Sequence, residues 1–122
     1  MSDVLHDWRP AVIPAPCYRD PRKALAWLEA AFGFEPFMLI EDGDGNLVHA
    51  EVRFGDAVVM IGSEWSDEYK SPLATQGKVT QSIHLSVRED VDAHCARARA
   101  SGAEIIAEPQ DQFYGDRTYR CR

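Results

Sequence analysis

Three short alternating stretches place polar groups of complementary chemistry on single faces of predicted strands. In LVHAEVRF (47–54), Leu47, His49, Glu51 and Arg53 share one side, and Val48, Ala50, Val52 and Phe54 share the other. Successive strand side chains point to opposite faces, so the histidine and the carboxylate become neighbours. In TQSIHLSV (80–87), Ser82, His84 and Ser86 alternate with Ile83, Leu85 and Val87. In TYRCR (118–122), Thr118, Arg120 and Arg122 alternate with Tyr119 and Cys121.

His49, Glu51 and His84 admit three readings. Two imidazoles and a carboxylate are a sensible divalent-metal set with positions left open for water. Without a metal, a histidine beside a carboxylate suits a general base or a ligand anchor. The third reading is a solvated strand face whose histidine bonds a neighbour. Arginines at 53 and 120, with Ser82 and Thr118, suit a carboxylate or phosphate, which the guanidinium fork binds through two hydrogen bonds. The competing reading is surface ion pairing within an acidic protein.

These faces need elements to hold them. A strand is expected around 11–18, irregular because of Pro14 and Pro16. Asp20-Pro21 reads as a helix cap with proline at the first position, and Ala24, Leu25, Leu28, Ala31 and Phe32 recur at helical spacing up to Gly33. Strands follow over 34–41, 47–54 and 57–61, joined by Asp42-Gly43-Asp44-Gly45-Asn46 and Gly55-Asp56 turns. Residues 63–79 are polar and aperiodic, a linker in which Trp65 and Tyr69 suit a lid or a dimer contact. A second helix starts at Glu89-Asp90, turns Val91, Cys95 and Ala98 inward and ends at Gly102. Its His94 is expected at the surface or rim, and His6 in an extended N-terminal arm. Strands are expected again over 103–107 and 118–122. Trp27 reads as packing, and Cys17 as a cavity-facing or buried thiol.

The halves keep step. Asp20 to Gly33 and Glu89 to Gly102 lie 69 residues apart, as do His49 and Thr118, and Glu51 and Arg120. The chain therefore reads as α+β, a single domain over 1–122 with one β-α-β-β-β module at about 11–62, the linker, and a second module at about 80–122. By the same offset, the second module's closing strand is expected past Arg122.

Bulk properties narrow the function. With 122 residues, 45% apolar, a core needs no disulfide staples. A net charge of −7 argues against binding nucleic acid through its phosphates. Cys17, Cys95 and Cys121 are odd in number and far apart, and read as reduced thiols. There is no signal-peptide pattern at the N-terminus and no run of apolar residues long enough for a membrane span, so the expected location is cytoplasmic, with no membrane partner.

The passages YRDPRKALAWLEAAFGFE, HAEVRFGDAVVMI, IHLSVREDVDAHCARARASGAEI and YGDRTYRCR resemble the vicinal oxygen chelate superfamily, which includes glyoxalase I, bleomycin-resistance proteins and extradiol dioxygenases. The resemblance implies a curved, barrel-like mixed sheet around a cavity, with helices outside, in what is often a homodimer. It also implies metal ligands at positions that fall here on Ile13, Met60, Ser82 and about 129. Isoleucine and methionine cannot serve a divalent ion that wants nitrogen or carboxylate oxygen. No metal is therefore expected at the family positions, only at a shifted site if anywhere. The expected function is binding of a small polar or anionic organic molecule in the sheet cavity, with lyase, isomerase or dioxygenase chemistry at His49 and Glu51 as an extension. The alternative is a non-catalytic sequestering protein of the bleomycin-resistance type.

Overall fold

A computed structural model describes residues 9–122; His6 lies outside them. The elements are β1 (Cys17–Tyr18), α1 (Pro21–Phe32), β2 (Glu35–Glu41), β3 (Leu47–Phe54), β4 (Ala57–Met60), β5 (Gly62–Ser63), α2 (Val91–Ala100), β6 (Ile105–Asp111) and β7 (Arg117–Cys121). One 3-10 turn, Pro72–Thr75, interrupts the linker.

α1 forms as its sequence dictates. The Asp20 side chain accepts from Lys23 N at 3.2 Å, and Gly33 closes the helix at φ 83°, a conformation glycine adopts without a side-chain clash. α2 is capped by Asp90, which accepts from Asp92 N at 3.1 Å, not by Glu89. The helices meet side by side. Arg97 of α2 reaches the end of α1, its Nε donating to Ala30 O at 2.9 Å and its Nη2 to Glu29 O at 3.1 Å. Those carbonyls belong to the last turn, where Glu29 O also accepts from Gly33 N at 3.0 Å and helical amides run out.

Among the described residues the strands form three separate sheets: β1 parallel to β5, β2-β3-β4 antiparallel, and β6-β7 antiparallel. The expected closed, barrel-like sheet is therefore corrected to open sheets. One reason is that 80–87 forms no strand, and Ser82, Ile83 and His84 are exposed. Its counterpart in the first half is held by Met60 N and Gly62 N, which donate to Pro14 O at 2.9 Å and Pro16 O at 3.0 Å. Among the described residues 80–87 finds no ladder to join. Only Cys17–Tyr18 of the expected first strand is regular, since Pro14 and Pro16 have no amide to donate.

The two long hairpins share register. Pro36 pairs with Val52 and Met38 with Glu51; 69 residues on, Ile105 pairs with Cys121 and Ala107 with Arg120. Phe37 and Ile106 are the extra residues in these steps. A second extra residue, Val48, stands between His49 opposite Ile40 and Leu47 opposite Glu41. This bulge explains why Val48, which shares a side with Ala50 and Val52 in the sequence alternation, is 59% exposed.

The core lies between the helices and the sheet faces bearing Ala50, Val52 and Val59, with Leu25, Leu28, Phe32 and Phe34 at its centre. Tyr119, Cys121 and Trp27 pack against it as the strand parity and helix stripe predict.

Candidate functional site

The alternation of β3 sends Ala50 and Val52 into the core and leaves His49 and Glu51 on the opposite face. Glu51 is not wet there: it is 2% exposed, among the largest fully buried side chains. One oxygen, Oε2, lies 2.6 Å from His49 Nε2, and the other, Oε1, lies 2.9 Å from Arg9 Nη2. Met38 and Met60 flank it on the neighbouring strands. Burial pushes the Glu51 carboxyl up, but the hydrogen bond from His49 and the Arg9 guanidinium beside it outweigh it, and the group lies below the usual glutamate range. An ionised carboxylate held between two basic groups is the result. The Arg9 contact was invisible in the sequence, because it joins residues 42 apart.

A second group lies on the face of β6 and β7 away from the core. A cavity of about 350 Å³ is lined by Ala107, Glu108, Gln110, Gln112, Tyr114, Thr118 and Arg120. Its size falls in the range of small-molecule sites, about 300–1,000 Å³. Gln112 Nε2 donates to Thr118 Oγ1 at 3.0 Å, and Glu108 is taken by Arg99. Arg120 has no acidic partner among the described residues, whereas Arg19, Arg22, Arg99, Arg117 and Arg122 are each paired with a carboxylate. Sequence reading missed Gln110, Gln112 and Tyr114, because it ended the strand at 107 before Pro109. β6 instead runs on to Asp111 through an irregularity between Ala107 and Gln110.

The remaining predicted residues are scattered. Arg53 is exposed, its guanidinium 4.6 Å from the centre of the Phe37 ring. Ser82 and His84 are exposed in the segment without a ladder. Among the described residues no three of His, Cys, Asp and Glu converge as a metal site, so His84 does not complete a set with His49 and Glu51. Ile13 and Met60 offer no suitable donor, and the residues present do not fit the metal that the family resemblance implies.

His94, expected at the rim, is 2% exposed. It stacks on Phe32 with ring centres 6.0 Å apart, and its Nδ1 lies 2.7 Å from Tyr119 Oη. The signal was present: His94 falls on the same helical stripe as Val91, Cys95 and Ala98. Cys17 is half-buried, with Sγ 3.7 Å from Tyr69 O, and burial followed by the Glu64 charge pushes its thiol up. None of the three cysteines is disulfide-bonded. Trp65 is 77% exposed and Tyr69 donates to Ala15 O, so the linker is clasped at one aromatic and open at the other. Among the described residues no helix is long and apolar enough to cross a membrane.

Comparison with known proteins places this fold. The chain is 32% identical over 111 residues to an uncharacterised protein of Mycobacterium bovis, covering 88% of this chain and 72% of that one. An uncharacterised protein of Mycobacterium tuberculosis matches at the same 32%, with 65% of its length covered. Among solved structures, TioX from Micromonospora sp. ML1 superposes with a TM-score of 0.66 at 26% identity, over 93% of this chain and 89% of that chain. A glyoxalase/bleomycin resistance protein from Streptomyces sp. CB03234 gives a TM-score of 0.66 at 19% identity, over 89% and 87%, a likeness of fold. The sequence model of the Glyoxalase/Bleomycin resistance protein/Dioxygenase superfamily matches residues 15–122, and the chain belongs to that superfamily.

Proposed function

We propose that this chain binds a small anionic organic molecule in the β6–β7 cavity, with Arg120 as its charged anchor and Thr118, Gln110 and Gln112 as neutral hydrogen-bonding groups. One observation carries the reading: Arg120 lines the cavity with no acidic partner among the described residues, in a protein of net charge −7. An arginine left unpaired among so many acids is available for a ligand carboxylate or phosphate. The two-module architecture belongs to the same reading, supported by the shared register of the two hairpins.

Binding without turnover accounts for the cavity as it stands. A catalytic reading rests on a different observation, the 2.6 Å contact between His49 and Glu51 on the first hairpin. Assembly as a homodimer is also part of the proposal, with the exposed Trp65 as a contact, and sedimentation of the wild type against Trp65→Ser tests it.

The binding test is calorimetric titration with small mono- and dicarboxylates and phosphate esters. The expected result is binding by the wild type and by Arg22→Ala, whose arginine is paired with Glu41 at the surface, and none by Arg120→Ala. Equal binding by Arg120→Ala overturns the proposal.

A further inference from the structure

We infer that His49, Glu51 and Arg9 form a metal-free proton-accepting site in which His49 Nδ1 takes the proton of an acidic ligand hydroxyl, a phenol or an enol. This deepens the catalytic reading and stands apart from the anion cavity, since neither His49 nor Glu51 lines it.

Glu51 is buried, with one oxygen 2.9 Å from the Arg9 guanidinium, a group that is always charged. That pairing keeps the carboxylate ionised, and an ionised carboxylate only accepts hydrogen bonds. The 2.6 Å contact to His49 Nε2 must therefore have the hydrogen on the imidazole. A neutral imidazole has one N–H and one lone pair, so Nδ1 is left as the acceptor. No hydrogen bond is made at Nδ1 among the described residues, and the His49 side chain is 35% exposed while Glu51 is 3% exposed. The reactive nitrogen is thus open and its partner is covered.

Placement favours the same use. β3 is the central strand of its sheet, where Glu51 is paired on both sides, with Met38 and Met60, and His49 on one, with Ile40. Their cross-strand neighbours Ile40, Met38 and Met60 are apolar, and they lower the local polarity around the pair. Arg9 touches no ligand in this scheme and is a positioning residue, acting through Glu51. In the step itself, the ligand O–H bond breaks, its electron pair stays on oxygen, and the proton forms a bond to Nδ1. The imidazolium then stands against the Glu51 carboxylate. On release the proton passes back to the ligand or to water.

Two measurements on the intact chain test this. The first is long-range proton–nitrogen NMR of the wild type labelled at its histidine nitrogens, at mildly alkaline pH. His49 is assigned by comparison with His49→Gln. The expected spectrum shows Nε2 protonated and Nδ1 bare; a proton on Nδ1, alone or together with Nε2, overturns the inference. The second is titration with 4-nitrophenol near its own ionisation midpoint, read by the gain in phenolate absorbance over the free compound. A gain with the wild type and with Arg120→Ala that is lost in His49→Gln supports the site. No gain with the wild type, or a gain that survives in His49→Gln, overturns it. A gain lost in Arg120→Ala and retained in His49→Gln does the same, and assigns the anion to the β6–β7 cavity instead.

Discussion

Glu51 and Arg120 stand on matching rungs of the two long hairpins, 69 residues apart, Glu51 opposite Met38 and Arg120 opposite Ala107, with opposite charges. The carboxylate is buried and already neutralised by Arg9, while the guanidinium is exposed and makes no ion pair among the described residues. The same register position thus carries a paired, buried charge in one hairpin and an exposed charge in the other.

Reversing the exposed charge should therefore change binding and little else. Arg120→Glu is expected to leave the melting temperature nearly unchanged, because exposed substitutions of this kind fall within about 0.5 kcal/mol. Arg120→Lys should retain part of the affinity, since an ammonium supplies charge without the two-pronged geometry. A loss on the order of tenfold relative to arginine fits one charge-assisted bond, at about 1.5 kcal/mol or more. Thermal denaturation and calorimetry check the two halves of this statement.

The paired, buried charge should behave in the opposite way. Arg9→Ala leaves Glu51 buried with only His49 to bond it, and breaking a buried pair from one side costs about 3 kcal/mol or more. The double variant Arg9→Met, Glu51→Leu should recover much of that loss, because no unpaired charge remains. Urea unfolding of the two variants and the wild type measures both effects.

Acid stability should depend on Glu64. Its carboxyl accepts from Arg19 Nε at 2.9 Å, from Ser71 Oγ at 2.6 Å and from Ser71 N at 2.9 Å, and these bonds, led by that of Arg19, hold it down at about 2. A folded value below the ordinary 4.5 means that the contribution is complete above pH 4.5 and is lost as pH falls towards 2. Glu64→Gln should flatten that part of the profile of melting temperature against pH. An unchanged acid limb in Glu64→Gln would contradict the assignment.

Tyr119 contributes to the alkaline limb, beside the three cysteines, Tyr18 and Tyr69, whose groups burial also pushes up. Burial first, then the charges of Cys121, Cys95 and Glu89, push the Tyr119 hydroxyl up to about 12. With the folded value above the ordinary 10.0, its contribution is intact below pH 10 and declines as pH rises towards 12. Tyr119→Phe should lose that decline, and should be less stable near neutrality because His94 Nδ1 loses its partner at 2.7 Å. Phenolate absorbance followed with pH, beside melting curves, reads both effects.

Gly62 should not tolerate a side chain. A Cβ there would stand 2.8 Å from a ring carbon of Tyr69, whose hydroxyl is anchored on Ala15 O. Gly62→Ala must displace that ring and is expected to cost about 1–3 kcal/mol, as overpacking does. The double variant Gly62→Ala, Tyr69→Ala should lose less than the separate changes combined.

Much of this architecture was legible in the sequence because its causes are local. The helix stripes, the Asp20 cap, Gly33 and the Ala50/Val52 alternation each act within a few residues, and the structure follows them. Val48 departed from the alternation because a bulge adds one residue to β3, and periodicity cannot register a single insertion. His94 was hidden by its polarity: it lies on the buried stripe, made tolerable by Tyr119 Oη from a strand 25 residues on. The segment 80–87 has the pattern of a strand without a partner to bond, and pattern alone does not make a ladder. Of the site, the His49–Glu51 pair and the Thr118–Arg120 face could be read from parity. The Arg9 ion pair and the glutamines of β6 required the third dimension.

Arg97 ends up completing a helix that is not its own. By bonding Glu29 O and Ala30 O it makes the last turn of α1 depend on α2 being in place. Melting the second half would strip the end of α1 of these two bonds, leaving Gly33 alone to close it, and would remove part of the shared core at once. A chain that looks duplicated should for this reason unfold as one cooperative unit, with a single calorimetric transition and not two.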